Sequence, residues 1–261
     1  TKSTISYSKD LSTGEITFTC NQFKIEGQSD VSHKFKINGT QNAVYGGKLD
    51  DEFKNYDIYS KSNTFYGLEG NDTFEFSTIN TAYGGDGDDI FNLTGGNSTL
   101  YGDNGNDTFY VKTGGSNTLT GGSGDDEFVI STSSNKIYGS DGNDKVTINS
   151  AAQKNYVDGG SGKNTLIDNG KDTTSINFPN ANSFSVAFAK NETKDLFING
   201  ITYNIKNNTN AQSVVYSIND DGQITFSSNN LIIKGDTSKA HNVNIKGSNI
   251  YFYGGDLADK I

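Results

Sequence analysis

The sequence is poor in proline, cysteine and histidine, and each shortage excludes a class of protein. Its 261 residues include one proline, one cysteine and two histidines. A single proline rules out collagen and proline-rich linkers. The lone cysteine, Cys20, can form neither an intrachain disulfide nor a cysteine-based zinc site. The H-E-x-x-H and G-x-S-x-G motifs are also missing, so we expect a protein that is not an enzyme.

Positive charge is scarce too. Lys and Arg number 21 against 31 Asp and Glu, which gives a formal net charge of −10. This balance argues against a nucleic-acid partner, because phosphates attract cationic residues, but it permits a cation. No apolar run approaches the roughly 18 residues of a transmembrane segment, and the first residues lack a signal-peptide pattern. Because the chain starts with Thr1, we expect a fragment or a processed form.

Glycine, by contrast, is abundant at 31 residues and recurs in a repeated motif. The stretch YGDNGNDTFYV (101–111) returns as YGLEGNDTFEF (66–76), YGGDGDDIFNL (83–93), TGGSGDDEFVI (120–130) and YGSDGNDKVTI (138–148). The repeat is about 18 residues long. Counted from the glycine that opens each turn, the sixth place holds Asp51, Asp72, Asp89, Asp107, Asp126, Asp144 and finally Asn164.

Shorter turns without aspartate lie between these turns, for example TGGNSTL (94–100) and TGGSNTL (113–119). The two kinds together give a nine-residue unit of a turn and a short strand, and two units make one coil. Apolar pairs such as Phe91 and Leu93 alternate with polar residues, so both members point inward. Only stacked coils can bury them. The sequence therefore predicts an all-β fold, a parallel β-roll or β-solenoid. We expect Thr, Ser and Asn hydrogen bonds to hold the side without aspartate.

Turns such as GGDGDDIFN (84–92) and GGSGDDEFV (121–129) resemble the G-G-x-G-x-D-x-U-x nonapeptide of the repeats-in-toxin (RTX) family, a calcium-binding β-roll. The resemblance covers residues 84–146 closely and 45–168 more loosely. It implies a one-sided ladder of about four Ca²⁺ ions shared between successive turns. The carboxylate ligands that it implies are Asp72, Asp89, Asp107, Asp126 and Asp144. The donors implied in the first four places are Gly67, Glu69, Gly70, Gly84, Asp86, Gly87, Gly102, Asn104, Gly105, Gly121, Ser123, Gly124, Gly139, Asp141 and Gly142.

The chemistry of calcium agrees with this arrangement. Ca²⁺ takes six to eight oxygen ligands at about 2.3–2.6 Å, which two stacked turns can supply and one cannot. Aspartates stacked about 5 Å apart without a cation would repel one another. Leu49 replaces a glycine in the turn of Asp51, and Asn164 replaces an aspartate. We expect those sites to be weak or absent, and we count Asp259 with them as one or two additional candidates.

A second repeat is much longer. SYSKDLSTGEITF (6–18) matches VYSINDDGQITF (215–226), and the match continues to the end of the chain; Gly14 aligns with Gly222, an offset of 222 − 14 = 208 residues. We expect a strand-rich segment at 1–44, the calcium roll at 45–168, and a strand or hairpin cap or linker at 169–213. Residues 214–261, which match 5–53, would start a second unit. Asn199–Gly200 predicts a hairpin turn.

Tyrosines precede several of the glycine turns and are expected to form one outward column. That column has two interpretations. It serves either as packing between coils or as an aromatic strip that binds sugars. The tyrosines that would form a ligand face are Tyr66, Tyr83, Tyr101 and Tyr138.

We therefore expect a calcium-dependent structural or adhesive segment of a long RTX protein. The resemblance implies type I secretion from a Gram-negative cell, folding on extracellular calcium, and a secreted or cell-surface location. The expected partners are calcium, neighbouring repeat units of the same chain, and glycans or homotypic lattice contacts. The alternatives are a carbohydrate-binding module of a secreted enzyme or adhesin, and an S-layer lattice protein.

Overall fold

The computed structural model describes residues 5–77, 79–149, 152–170, 175–177, 182–198, 201–219, 221–255 and 257–261. These residues form β-strands joined by turns and include no helix, hence none long and apolar enough to span a membrane. The prediction of an all-β fold is confirmed.

The described strands all have three to seven residues, as expected when turns recur every nine residues. In chain order the strands are β1 (Ser6–Lys9), β2 (Ile16–Thr19), β3 (Lys24–Glu26), β4 (Lys34–Asn38), β5 (Ala43–Gly47), β6 (Glu52–Asn55), β7 (Asn63–Glu69), β8 (Thr73–Phe76), β9 (Asn80–Asp86), β10 (Ile90–Leu93), β11 (Thr99–Asn104), β12 (Thr108–Val111), β13 (Thr118–Ser123), β14 (Glu127–Ile130), β15 (Lys136–Asp141), β16 (Lys145–Ile148), β17 (Tyr156–Asp158), β18 (Thr165–Asp168), β19 (Ser175–Asn177), β20 (Asn182–Phe188), β21 (Thr193–Ile198), β22 (Ile201–Asn207), β23 (Gln212–Ile218), β24 (Ile224–Ser227), β25 (Leu231–Lys234), β26 (Val243–Lys246) and β27 (Tyr251–Tyr253).

The chain divides into two compact units, residues 1–136 and 137–261. In the first unit the even-numbered strands β2 to β14 form one sheet and the odd-numbered strands β3 to β13 form the other, all of them parallel. Only β1 runs antiparallel to its neighbour β2. Each coil contributes one strand to each sheet, which is the predicted parallel β-solenoid.

The core of the first unit is a column of stacked phenylalanines. Neighbouring strands pair in register, so Phe91 lies between Phe74 and Phe109. The rings are parallel to within 5–7°, their centroids are 4.6–4.9 Å apart, and the side chains are fully buried. A strand turns alternate residues inward, so a repeated motif places the same residue at the same depth in every coil. The column consists of Phe53, Phe74, Phe91, Phe109 and Phe128.

The second unit begins with parallel strands, and each of its sheets then contains one strand that runs in the opposite direction. β16, β18 and β20 are parallel, as are β17, β19 and β21. β23 then pairs antiparallel with β20, and β22 pairs antiparallel with β21. β24 and β25 pair antiparallel with these reversed strands and parallel with β26 and β27. One reversed strand in each sheet thus restores the original direction.

The predicted hairpin is present in this region. β21 and β22 pair antiparallel with Ile198 opposite Ile201, although the turn residues Asn199 and Gly200 lie outside the described residues. The long repeat also appears as repeated contacts. The amide of His33 donates to Asp51 Oδ1, and the amide of His241 donates to Asp259 Oδ1.

Candidate calcium site

The sixth-place aspartates form a continuous column along one side of the first unit. Each lies directly before a strand of the even-numbered sheet, and its side chain folds back into the turn. Its Oδ1 atom accepts a hydrogen bond from the backbone N–H of the aspartate one coil earlier, at 2.6–2.8 Å. The series runs Asp51, Asp72, Asp89, Asp107, Asp126. In the second unit, Asn164 Oδ1 accepts from the Asp144 amide in the same way, at 2.7 Å.

The other carboxylate oxygen has a different environment. The Oδ2 atoms of Asp72, Asp89 and Asp107 are buried, and no described residue donates a hydrogen bond to them. The three residues are each 1% exposed. A buried acceptor without a donor costs free energy, so three in one column are a strong reason to expect a ligand there.

Glycine in the first place of each turn keeps the space beside Oδ2 open. A Cβ on Gly84 would overlap both Asp89 Oδ2 and the carbonyl oxygen of Gly102. The same holds one coil on, where a Cβ on Gly102 would overlap Asp107 Oδ2 and the carbonyl oxygen of Gly121. A side chain at this place would fill the gap between the carboxylate and the next coil's carbonyl. The described glycines that share this arrangement are Gly46, Gly67, Gly84, Gly102 and Gly139.

Asn164 occupies the sixth place of its turn and shows which contacts form there when the side chain is not a carboxylate. Its Nδ2 group donates to the carbonyl oxygens of Gly159 and Ser161, at 2.7 and 3.1 Å. These are the first and third residues of its own turn. An aspartate at the sixth place presents an oxygen where Asn164 presents an N–H group. The aspartate turns therefore need a positive partner, a proton or a cation, between oxygen atoms.

Burial changes the acidity of these carboxyl groups. Desolvation raises the pKa of Asp72 and Asp89 to about 8 and that of Asp107 to about 7. Neighbouring aspartates also raise the pKa of all three, because like charges repel. For Asp107 these neighbours are Asp88 and Asp103, which lie outside the column. A divalent cation reverses both effects, since it compensates the desolvated charge directly.

Asp51, at the start of the column, is different. Its Oδ2 accepts the Gly47 amide at 2.8 Å, and its Oδ1 accepts the His33 amide and lies 3.0 Å from His33 Nδ1. Since the Gln28 amide donates to His33 Nε2, Nδ1 carries the proton and donates to Asp51. Both oxygens of Asp51 thus have donors from the protein, as suits a structural carboxylate.

The third and fourth places of the turns connect neighbouring coils. The amide of Gly87 donates to the carbonyl oxygen of Asn104, and the amide of Gly105 donates to that of Ser123, both at 2.9 Å. Gly70 and Asp86 form the same pair, at 2.9 Å. The fourth place needs glycine because φ is positive there, +137° at Gly87. The residues in the third and fourth places, which were expected to supply calcium ligands, are therefore already hydrogen-bonded to a neighbouring coil through their backbones.

A ladder at the fifth place was not predicted. The amides of Asn71, Asp88, Asn106 and Asp125 each donate at 2.8 Å to the side-chain oxygen of the fifth-place residue one coil earlier. In this ladder the donor lies one coil later than its acceptor, whereas in the aspartate column the donor lies one coil earlier. The recurring Asp or Asn directly before the sixth-place aspartate is the sequence signal for this ladder.

The opposite side of the first unit carries a neutral column. Asn117 Oδ1 accepts the amide of Ser98 at 2.9 Å, and Asn135 Oδ1 accepts that of Asn117 at 3.0 Å. The side-chain Nδ2 of Asn117 donates to Asn135 Oδ1 as well. The predicted hydrogen bonding on this side is confirmed, mainly through asparagine. The column comprises Asn42, Asn63, Asn80, Ser98, Asn117 and Asn135.

The tyrosine column is a stack between coils. Tyr45, Tyr66, Tyr83 and Tyr101 lie face to face, with centroids 4.5–5.1 Å apart and planes within 8°. Lys24 Nζ lies 4.8 Å from the ring centroid of Tyr45. The faces of Tyr66 and Tyr83 are thus covered by other rings, and a sugar would need an open face. Tyr138 belongs to the second unit, where its ring is tilted by 54° against that of Tyr156.

The donor set fits a hard cation that accepts carbonyl ligands. Within the described part of the chain, no three His, Cys, Asp or Glu side chains come close enough to hold a metal ion. A cation here would therefore need backbone oxygens beside the carboxylates. Oxygen-only ligation with many carbonyls is typical of calcium and excludes soft metals that prefer sulfur. The fold and this column define a solenoid built of cation-binding turns.

Comparison with known families identifies these turns. The RTX calcium-binding nonapeptide repeat matches in four copies, at residues 60–76, 83–114, 112–129 and 131–166. Four RTX calcium-binding repeats therefore lie between residues 60 and 166, and this part of the chain is a calcium-binding structural segment. Neither a curated protein nor a solved structure gives a significant match. The turns of Asp51 and Asp259 lie outside the matched residues.

Proposed function

We propose that the chain is a calcium-dependent structural segment of a long secreted or cell-surface RTX protein with an adhesive role. The observation that supports this proposal most directly is the column of buried Oδ2 atoms without hydrogen-bond donors at Asp72, Asp89 and Asp107. A column of this kind is unfavourable without a cation. The segment would thus be rigid where calcium is plentiful and unstable where it is scarce.

In this proposal calcium acts as the trigger for folding. About four ions bind between adjacent aspartate turns and contribute eight positive charges against the formal −10 of the chain. The residues that hold them are Asp72, Asp89, Asp107, Asp126 and Asp144, with carbonyl oxygens of the opening glycines. Because the unfolded chain does not preform these sites, the free energy of calcium binding becomes free energy of folding.

Folding that depends on calcium would also suit export from the cell. A chain with empty carboxylates stays unfolded at the low calcium concentration of the cytosol and passes a type I secretion channel as an extended chain. Millimolar calcium outside the Gram-negative cell then folds it. No part of this segment is proposed to be catalytic, since the recurring carboxylates are accounted for by the coil.

The experiment that tests the proposal is a calcium titration of the chelator-treated chain. Far-UV circular dichroism follows β-structure, calorimetry follows the thermal transition, and equilibrium dialysis counts bound ions. We expect β-structure and a cooperative transition to appear with calcium, at about four ions per chain. Magnesium serves as the matched control, because it demands a small octahedral shell and dehydrates reluctantly.

A chain that is equally folded in chelator and takes up no calcium would contradict the proposal. The aspartate column would then act only in hydrogen bonding between coils. A chain that folds equally well with magnesium would contradict the part of the proposal that assigns selectivity to the carbonyl-rich site.

A further inference from the structure

Strand β1 corresponds to strand β23 in the long repeat, and the edge of β23 is covered by another strand. β1 and β23 open the two copies of the long repeat. Each pairs antiparallel with the next strand in the same register, with Tyr7 opposite Phe18 in one copy and Tyr216 opposite Phe226 in the other. Both copies then continue with a parallel pair, β2 with β4 and β24 with β26. The strand that covers β23 therefore indicates what β1 would bind.

In the second unit, β20 covers β23 along its whole length. The two strands pair antiparallel over seven residue pairs, with Phe184 opposite Tyr216. The two rings stack with centroids 4.6 Å apart, and Tyr216 is fully buried. Stacked aromatic pairs across strands stabilise a sheet beyond the hydrogen-bonded ladder itself.

In the first unit, the corresponding edge is open. β1 is the outermost strand of its sheet, and all four of its residues are exposed. Tyr7 is 75% exposed, and its one described ring contact is with Phe18, at 6.3 Å. An exposed strand edge with an aromatic side chain favours pairing with another strand.

The edge strands of the other sheet show the same difference between the two copies of the long repeat. β3 is the outermost strand there and corresponds to β25 at the 208-residue offset, so Ile25 matches Ile233. β22 covers β25 in antiparallel pairing, with Ile205 opposite Ile233. Both open edges at this end of the first unit thus correspond to strands that are covered in the second.

We propose that the edge of β1 is a docking site for the strand equivalent to Asn182–Phe188 in a preceding copy of the long repeat. Consecutive copies would then share continuous sheets, with no flexible linker between them. This inference rests on the proposed function, in which the segment belongs to a long protein, and on the 208-residue repeat, which predicts a tandem array of such units. One position differs: Lys9 stands where Ile218 is buried, and its long stem can carry the ammonium group past the strand end to water.

The test uses a longer chain, residues 1–214 followed directly by residues 6–261, compared with the 261-residue chain in calcium. Hydrogen–deuterium exchange reports on the amides of β1. We expect these amides to exchange rapidly in the 261-residue chain and as slowly as those of β23 in the second copy of the longer chain. Equally rapid exchange in both chains would overturn the proposal.

Matched tyrosine variants give a second readout. Tyr216→Ala removes a covered ring, so it should lower the thermal midpoint of the 261-residue chain, whereas Tyr7→Ala should not. In the longer chain, Tyr7→Ala in the second copy should lower the midpoint to a similar extent as Tyr216→Ala. A Tyr7→Ala change that is silent in both chains argues against docking at this edge.

Disulfide trapping tests the register. The background is Cys20→Ser, since Ser228 stands at the corresponding place in the second copy. Ser185 lies opposite Val215, so Ser185→Cys with Val215→Cys is the positive control. In the longer chain, Ser185→Cys in the first copy should cross-link to Ser6→Cys in the second, and Ala187→Cys should not.

Two outcomes separate this inference from the proposed function. A normal calcium titration with no protection and no cross-link at β1 refutes the docking edge alone. A concentration-dependent dimer of the 261-residue chain that Tyr7→Ala abolishes would show that β1 pairs two separate chains, which also overturns the proposal.

Discussion

At the scale of single residues, the contrast between Asp107 and Asn164 leads to a direct prediction. Asp107→Asn should place an N–H group where Oδ2 has no donor, as Asn164 does with the carbonyls of Gly159 and Ser161. We expect the variant to be more stable than the parent in chelator at pH 7, by about 1–3 kcal/mol, and to bind one or two fewer calcium ions. The osmolyte concentration needed to fold each chain in chelator measures the first effect, and equilibrium dialysis measures the second.

The control for this variant is Asp88→Asn. Asp88 lies next to the column but in the exposed ladder, where Asn71 and Asn106 already occupy equivalent places. It should change neither stability in chelator nor calcium count. If Asp107→Asn behaves like this control, Asp107 does not hold a cation.

The raised pKa values give a second prediction at this scale. In chelator, the folded chain keeps protons on Asp72, Asp89 and Asp107 up to about pH 7–8, whereas the unfolded chain loses them near 3.8. Where the folded state holds more protons, stability falls as pH rises. The stabilisation should thus be complete below about pH 4 and lost as pH rises through 7–8. Circular dichroism in chelator from pH 4 to 9 measures it, because β-structure present near pH 4 should be lost as pH rises through 7–8.

Calcium should reverse this dependence. Because the ion binds the ionised carboxylates, saturating calcium should make the chain more stable at pH 8 than at pH 4. Stability in chelator that rises with pH, rather than falling, would mean that these carboxyl groups are ionised and compensated by the protein alone.

At the scale of elements, the phenylalanine column determines how strands β8, β10 and β12 hold together. Phe91→Ala would leave a cavity between Phe74 and Phe109, whose rings lie 4.7 and 4.6 Å from that of Phe91. We expect a loss of about 3–5 kcal/mol in the calcium-bound state, measured by urea unfolding. The neighbouring Ile90 is 39% exposed, so Ile90→Ala should cost much less, and equal losses would argue against a shared column.

The elements also show where prediction from sequence succeeds and where it stops. The 18-residue spacing of Asp72, Asp89 and Asp107 was enough to predict stacked coils, because strand alternation and turn length are local properties. The reversal at β22 and β23 was not predictable, because strand direction depends on partners far away in the sequence. The burial of Lys194 was not predictable either, because its ammonium donates to the carbonyls of Gly170 and Ala187, which are not its neighbours in sequence.

At the scale of the whole molecule, the shared column predicts cooperative calcium binding. Each interior aspartate connects with the coil before it and the coil after it, so ordering one turn favours ordering the next. Circular dichroism followed against free calcium should give a curve steeper than a single-site isotherm, with a Hill coefficient above 1. A curve that follows independent sites would mean that the coils order one by one.

The charge of the chain gives a prediction of size. At net charge −10 and low salt, the chelated chain should be expanded, with a radius of gyration near the ~56 Å expected for an unfolded chain of this length. Calcium should reduce this value sharply, and small-angle scattering measures it. A chelated chain that is already compact would show that charge repulsion does not keep it unfolded.

The neutral asparagine column of the first unit has a consequence for the path of folding. Its hydrogen bonds require neither a proton nor an ion, whereas the facing aspartate column requires one or the other. Calcium therefore has to bring the coils together on the aspartate side, and the asparagine side then extends the pairing without a further ion. If one ion is lost afterwards, the asparagine hydrogen bonds should keep the affected coil in register with its neighbours.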